Sequence, residues 1–161
     1  KLNIKSPKET GKTFSSNAQL KANYFSKYVN LPVISDDSGI CIKALGNKPG
    51  IYSARWAKKH GSFIKAMKFI LKKMRSKKDR SATFVCSLSF KYPGKKVVTV
   101  VGKIKGKISY NMCGPNGFGY DPIFIPHAEK LTFGEMSKVK KINMDHRYVA
   151  FKKLKKKIKS L

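Results

Sequence analysis

The chain has 161 residues, 36 of them Lys or Arg and 8 Asp or Glu, for a formal net charge of +28. Its 41% hydrophobic and 11% aromatic content suits one ordinary domain with a core of its own, and no apolar run approaches the roughly 20 residues that a membrane span needs. The polar opening KLNIKSPKETGK lacks the apolar core of a secretory leader, and Cys41, Cys86 and Cys113 show no C-x-x-C spacing, so reduced thiols in a cytoplasmic protein are expected, with neither a zinc site nor a disulfide scaffold.

From Thr13 to Val29 the spacing predicts a helix whose inner face carries Phe14, Asn17, Ala18, Lys21, Phe25 and Tyr28. Asn17 and Lys21 are polar intruders on that stripe; a lysine snorkelling past the core edge is the plain explanation. LPVISDDSGICIKAL reads as two short strands around an acidic turn, with Pro32 at the first strand's start, and KPGIYSARWA as a loop with a short turn. Phe63, Ala66, Met67, Ile70, Leu71 and Met74 mark a helix from about Ser62 to Met74, broken at Asp79 to Ser81. ATFVCSLSFKY alternates like a half-buried strand, and KKVVTVVGKIKGKISY supplies one or two more beyond the Pro93-Gly94 turn. The loop CGPNGFGYDP then leads into the strand IFIP. Val149, Ala150, Leu154, Ile158 and Leu161 form a last amphipathic helix capped by Asp145. Interleaved helices and strands imply an α/β or α+β arrangement.

Only Arg55, Arg75, Arg80 and Arg147 are arginines. The bidentate fork on which specific nucleic-acid recognition leans is therefore scarce, and specific nucleic-acid binding is not expected. Non-specific attraction to anions, nucleotides included, follows from the charge.

In so basic a chain, Asp36 and Asp37 stand side by side. Adjacent carboxylates stay ionised together most easily when a cation or several hydrogen bonds share the site. One could bind Mg²⁺ and the other act as general base on a water, with Glu9 completing the cation site; the alternative is a polar turn with Asx capping. In GPNGFGYDP the glycines let backbone approach a ligand, and Phe118 and Tyr120 either stack a flat base or plug the core. Lys140, Lys141, His146 and Arg147 cluster around the start of the last helix, where cations oppose the dipole, which hints at function. His60 and His127 read as surface residues.

In this order ETGKTF…NAQLKA, ISDDSGI…ALGNKPGIYSARWA, GPNGFGYDPIF and FGEMSKVKK…DHR resemble the inosine triphosphate pyrophosphatase family, from Glu9 to the last helix. The resemblance implies an α/β fold with a mixed, elongated central sheet flanked by helices, two lobes and a substrate cleft between them. It implies hydrolysis of deaminated purine nucleoside triphosphates (ITP, dITP, XTP) to the monophosphate and pyrophosphate, with Mg²⁺, in a homodimer. Glu9 and Asp36 would be the metal ligands, Asp37 the base, and Lys21 the lysine facing the phosphates. Ser38, Phe118, Gly119, Tyr120 and Asp121 would bind nucleotide; Lys141, His146 and Arg147 would hold the purine. Donors there suit an oxygen at carbon 6, whereas the amino group of adenine would leave donors facing donors, at ~1–3 kcal/mol per unsatisfied group.

The sequence departs from the family in three places. Nothing before Glu9 matches the family's opening strand and Thr/Ser-x-Asn-x-x-Lys phosphate loop, so the domain over 1–161 is expected to be N-terminally incomplete. Ser15 and Ser16 stand where the family usually carries acid, and Asp145 stands for the usual Ser before His-Arg. A second reading is a catalytically impaired nucleotide- or polyanion-binding protein of the same fold.

Overall fold

The computed structural model describes residues 4–159. Helix α1 (Phe14–Phe25) starts at a capping box: Thr13 Oγ1 accepts from Ser16 N and Ser16 Oγ accepts from Thr13 N, both at 3.0 Å. Ser16 thus does what Glu or Gln usually does at that position. The helix ends at Phe25, short of the expected Val29, and Tyr28 is exposed beyond it.

SDDSG is no turn. It lies inside one continuous strand, β1 (Val33–Ile42), where two strands around a turn were expected. A strand can hold Asp36 and Asp37 together because neighbouring side chains point to opposite faces. Two-residue β2 (Lys48–Pro49) follows, then α2 (Ser53–His60) where a loop was expected, and α3 (Phe63–Met74), capped by Ser62. Strands β3 (Ser81–Lys91) and β4 (Val98–Ile108) form a long hairpin, and β5 (Phe124–Pro126) follows a 3₁₀ turn over Asp121–Ile123. Short α4 (Lys138–Ile142), unanticipated, and α5 (His146–Ile158), capped by Asp145 as expected, close the chain. Leu161, expected on that last helix, lies outside the described residues.

The α/β arrangement with a central sheet flanked by helices forms as expected, but the sheet is not the mixed one that was expected: among the described residues the strand order is β2-β1-β3-β4-β5 and every neighbouring pair runs antiparallel, each strand turning back on the one before it in the sheet. On one face Ile40, Ile42, Ala82, Phe84 and Ile108 meet Met67, Ile70 and Met74 of α3 together with Phe124, Phe133 and Met136. Fully burying each such side chain contributes roughly 1.5–3 kcal/mol, so this cluster dominates the packing. On that same face α5 rests on β3 and β4. Its backbone comes so close to Gly102 that a Cβ there would sit 2.2 Å from the His146 carbonyl oxygen and 2.3 Å from Ala150 N.

The opposite face carries α1, and polar groups join the two. Ser35 Oγ donates to Ala18 O at 2.6 Å, Gln19 Nε2 to Thr99 Oγ1 at 3.1 Å and Ser87 Oγ to Ser15 Oγ at 3.2 Å. Among the described residues β1 has a hydrogen-bonded neighbour on its outer side only at Cys41 and Ile42, so most of that edge is open. No described helix is long and apolar enough to cross a membrane.

Candidate active site

The open edge of β1 borders a cleft of about 320 Å³, lined among others by Glu9, Lys21, Asp36, Asp37, Ser38, Arg55, Phe118, His146 and Arg147. That volume is in the range of small-molecule sites. Both faces of β1 contribute, so Asp37 and Asp36 enter it from opposite sides of the sheet.

On the α1 side, Asp37 is buried and its Oδ2 accepts from Asn17 Nδ2 at 3.2 Å. Asn17, itself fully buried, is oriented by Gly11 N, which donates to its Oδ1 at 2.8 Å. Lys21 Nζ lies 2.7 Å from Glu9 Oε1 and 3.6 Å from Asp37 Oδ1, bridging the two carboxylates. The polar stripe residue expected to snorkel past the core therefore ends in an ion-pair cluster. Burial pushes the Asp37 carboxyl up, only partly offset by Lys21 and Asn17. Burial acts the same way on Glu9, but Lys21 and Arg55 outweigh it and hold Glu9 below its ordinary value. Asp37 is thus the more basic of the pair.

Asp36 accepts from Ser38 Oγ at 2.9 Å and pairs loosely with Arg147 Nη2 at 3.6 Å, both side chains 47% exposed. An exposed pair of this kind holds by less than about 1 kcal/mol, so Arg147 is free to turn to a ligand. The two residues expected to share a metal, Glu9 and Asp36, share no partner; Glu9 is joined to Asp37 instead. No group of three His, Cys, Asp or Glu side chains suited to a metal converges among the described residues. Mg²⁺ needs only one or two carboxylates beside water and phosphate oxygens, so Glu9, an oxygen donor lining the cleft, fits that ion while Asp37 is held between Lys21 and Asn17.

The nucleotide-binding candidates also meet here. Phe118 is 68% exposed at the cleft, whereas Tyr120 is 2% exposed and donates its hydroxyl to Ser53 O at 2.8 Å. Phe63 packs edge-on against both rings. The two aromatics therefore divide the roles left open for them: Phe118 is presented to the cleft and Tyr120 plugs the core. Gly119, at φ 68°, makes the turn between them. Asp121 is buried and accepts from Phe118 N, shaping the loop, and takes Lys141 Nζ at 2.9 Å; burial pushes its carboxyl up. Lys141 also lies 3.9 Å from Asp145, whose Oδ1 caps α5 through Tyr148 N at 2.8 Å. One ammonium thus ties the loop to the start of α5.

His146 lies flat on Phe84, with ring centroids 4.7 Å apart and planes 8° from parallel. It is 2% exposed, and burial foremost, then Arg147 and Lys141, depresses its pKa to about 3. The ring is neutral and carries one proton. Its Nε2 is 3.2 Å from Arg147 Nη1, and a guanidinium can only donate, so Nε2 accepts and the proton sits on Nδ1. Nδ1 is the one buried side-chain polar atom among the described residues without a hydrogen-bond partner. An orphaned donor beside a cleft asks for an acceptor from a ligand.

Three further residues belong to the site. Arg55 Nη2 reaches Glu9 Oε2 at 3.2 Å and is 45% exposed in the cleft. Asn17 aims Asp37, and its signal in the sequence was a polar residue on an apolar stripe. Ser53, through Ile40 N at 3.0 Å and Gly50 O at 2.7 Å, locks α2 to β1 beside Gly39, where no side chain fits. Of the histidines read as surface, His127 is exposed, while His60 is half-buried against Phe69.

A sheet-edge cleft with a carboxylate–lysine cluster at one end and a neutral imidazole donor at the other defines a site for an anion bearing a polar ring. The sequence matches the Ham1 family over residues 1–157, and the chain belongs to that family. It is 42% identical over 156 residues to a dITP/XTP pyrophosphatase of Caulobacter vibrioides, covering 96% of this chain and 80% of that protein. A dITP/XTP pyrophosphatase of Bacillus licheniformis is 43% identical over 148 residues, 91% of this chain and 76% of its own. The Staphylococcus aureus Ham1 protein superposes with a TM-score of 0.91 at 37% identity, covering 98% of this chain and 82% of that one.

Proposed function

We propose that the protein hydrolyses deaminated purine nucleoside triphosphates, ITP, dITP and XTP, to the monophosphate and pyrophosphate. The observation that carries this reading is the unpartnered, buried Nδ1–H of His146 beside the cleft. An oxygen at carbon 6 of hypoxanthine or xanthine satisfies it; the amino group of adenine leaves both groups unpaired, at ~1–3 kcal/mol each. Arg147 adds a second donor to the ring, Phe118 offers a face to the base, and Lys141 holds the loop and α5 in register.

At the other end, Asp37 takes the proton of a water as its oxygen forms a bond to the α-phosphorus. The bond from that phosphorus to the bridging oxygen breaks, and pyrophosphate leaves. Asp37 suits this work because burial raises its affinity for the proton. Lys21 and Arg55 face the growing phosphate charge. Glu9 would hold Mg²⁺, which would neutralise phosphate charge when bound, and Asp36 would keep Arg147 poised.

The working form is proposed to be a homodimer in the cytoplasm, where the nucleotide pool lies. Exposed Leu31, Ile34 and Tyr92 offer apolar surface for a second copy, and the three free thiols suit a reducing compartment. Light scattering on the purified protein tests the dimer.

Pyrophosphate release with ITP and ATP in Mg²⁺ tests the function, with Asp37→Asn as control. ITP turnover should exceed ATP turnover by at least tenfold and vanish in the control. Equal rates on the two nucleotides would remove the role given to His146.

A further inference from the structure

Helix α1 covers only half of its face of the sheet. Beyond it, over the ends of β1, β3, β4 and β5, lies an open furrow of about 500 Å³ that shares no lining residue with the cleft. It is lined by Cys41, Ser81, Thr83, Lys105, Lys107 and His127, among others. Lys103, Lys105 and Lys107 alternate along β4 opposite Val85, Thr83 and Ser81 of β3, so all three project from this one face. They follow one another at about 6.7 Å, two strand residues apart.

The row is uncompensated. Among the described residues none of the three has an ion-pair partner, and all are exposed. The one carboxylate among the furrow's lining residues, Glu129, is paired with Lys140 at 2.7 Å, and Asp79 nearby is paired with Lys43 at 3.3 Å. Three like charges held in line on a rigid strand repel one another, and hairpin stability gains nothing from them. No Phe, Tyr or Trp lines the furrow and His127 is its one ring, so a ligand held there is held chiefly by its charge.

We propose that this furrow binds the phosphate backbone of single-stranded nucleic acid, without sequence preference and independently of the cleft. A row of cations one strand wide matches one chain of phosphates, and lysine, a point charge without a fork, neutralises phosphate without reading bases.

The test is fluorescence anisotropy of a fluorescein-labelled oligo(dT) over a salt series. Wild type is compared with Lys103→Gln/Lys105→Gln/Lys107→Gln and with a charge-matched control, Lys58→Gln/Lys68→Gln/Lys72→Gln, exposed on α2 and α3 of the other face. The β4 variant should bind about tenfold more weakly at low salt, and its slope of log K against log salt should fall by about 2, near 0.7 per lost phosphate contact. The control should lose less than about threefold, and ITP turnover should be unchanged in both, confirming that each folds. Equal losses in the two variants would overturn the proposal, because binding would then be spread over the whole charged surface. So would absence of wild-type binding, tighter binding of a duplex of equal length, or a changed oligomeric state in the β4 variant, which would mark this face as contact with a second copy.

Discussion

His146 is stacked on an aromatic ring and hydrogen-bonded only to a guanidinium, and that pair of contacts fixes its charge. Its folded pKa of about 3 lies well below the value near 6.5 of the unfolded chain. Between those two values the unfolded state binds the extra proton. The stability contributed by the neutral ring is therefore complete above the unfolded pKa and is lost as pH falls toward the folded one. From pH 7 to pH 5 the loss should be about 2 kcal/mol. Asp37 and Asp121, raised by burial, act in the opposite sense and favour the fold on acidification. Urea melts of wild type and His146→Gln at both pH values isolate the histidine: the wild type should weaken more, and parallel losses would contradict a buried neutral ring. Turnover has its own acid limb. It should fall as Asp37 protonates, at a pH shifted upward from the ordinary aspartate value by burial, and the histidine should add no step near neutrality.

Among the elements, α5 seats His146, and its placement depends on the bare backbone of Gly102. A methyl group there has nowhere to go, since the two nearest atoms it meets are main chain and the third is the Cβ of Ala150 at 2.8 Å. Gly102→Ala should cost ~1–3 kcal/mol through displaced packing. It should also reduce the preference for ITP over ATP, because the His146 carbonyl that it pushes belongs to the residue proposed to read the ring. Thermal melts and the ratio of the two kcat/KM values measure this, and an intact preference would show that α5 is positioned from elsewhere. The same elements explain what could be read from the sequence. The α3 stripe and the alternation of β3 were plain because Met67, Ile70, Met74 and Phe84 face the core, although β3 is not the half-buried strand expected: Val85, Ser87 and Ser89 on its other face are buried too. Helix α2 was hidden: it has eight residues, no side-chain cap at Tyr52, and only Ser53 and Ala57 buried. SDDSG carries turn composition, and its strand character comes from pairing with β3 and from Asn17, which lies 20 residues away. The site residues were legible as motifs matching a family; their grouping was not. That Glu9 pairs with Asp37 and not Asp36 depends on which face of β1 each carboxylate occupies, and a misread turn conceals the face.

At the scale of the molecule, the +28 charge bathes the cleft in positive potential and draws in triphosphates. Capture is therefore a long-range matter, weakened by added salt over a Debye length of about 8–10 Å. On the proposed reading choice between nucleotides is not, because the group that would distinguish them is the uncharged, buried N–H of His146, acting at contact distance. The two properties should come apart with ionic strength. As potassium chloride rises from dilute to physiological, kcat/KM for ITP and for ATP should both drop, while their ratio stays level. A ratio that collapsed with salt would assign the discrimination to charge. If it holds, fidelity in this enzyme is insulated from the ionic conditions that set its speed.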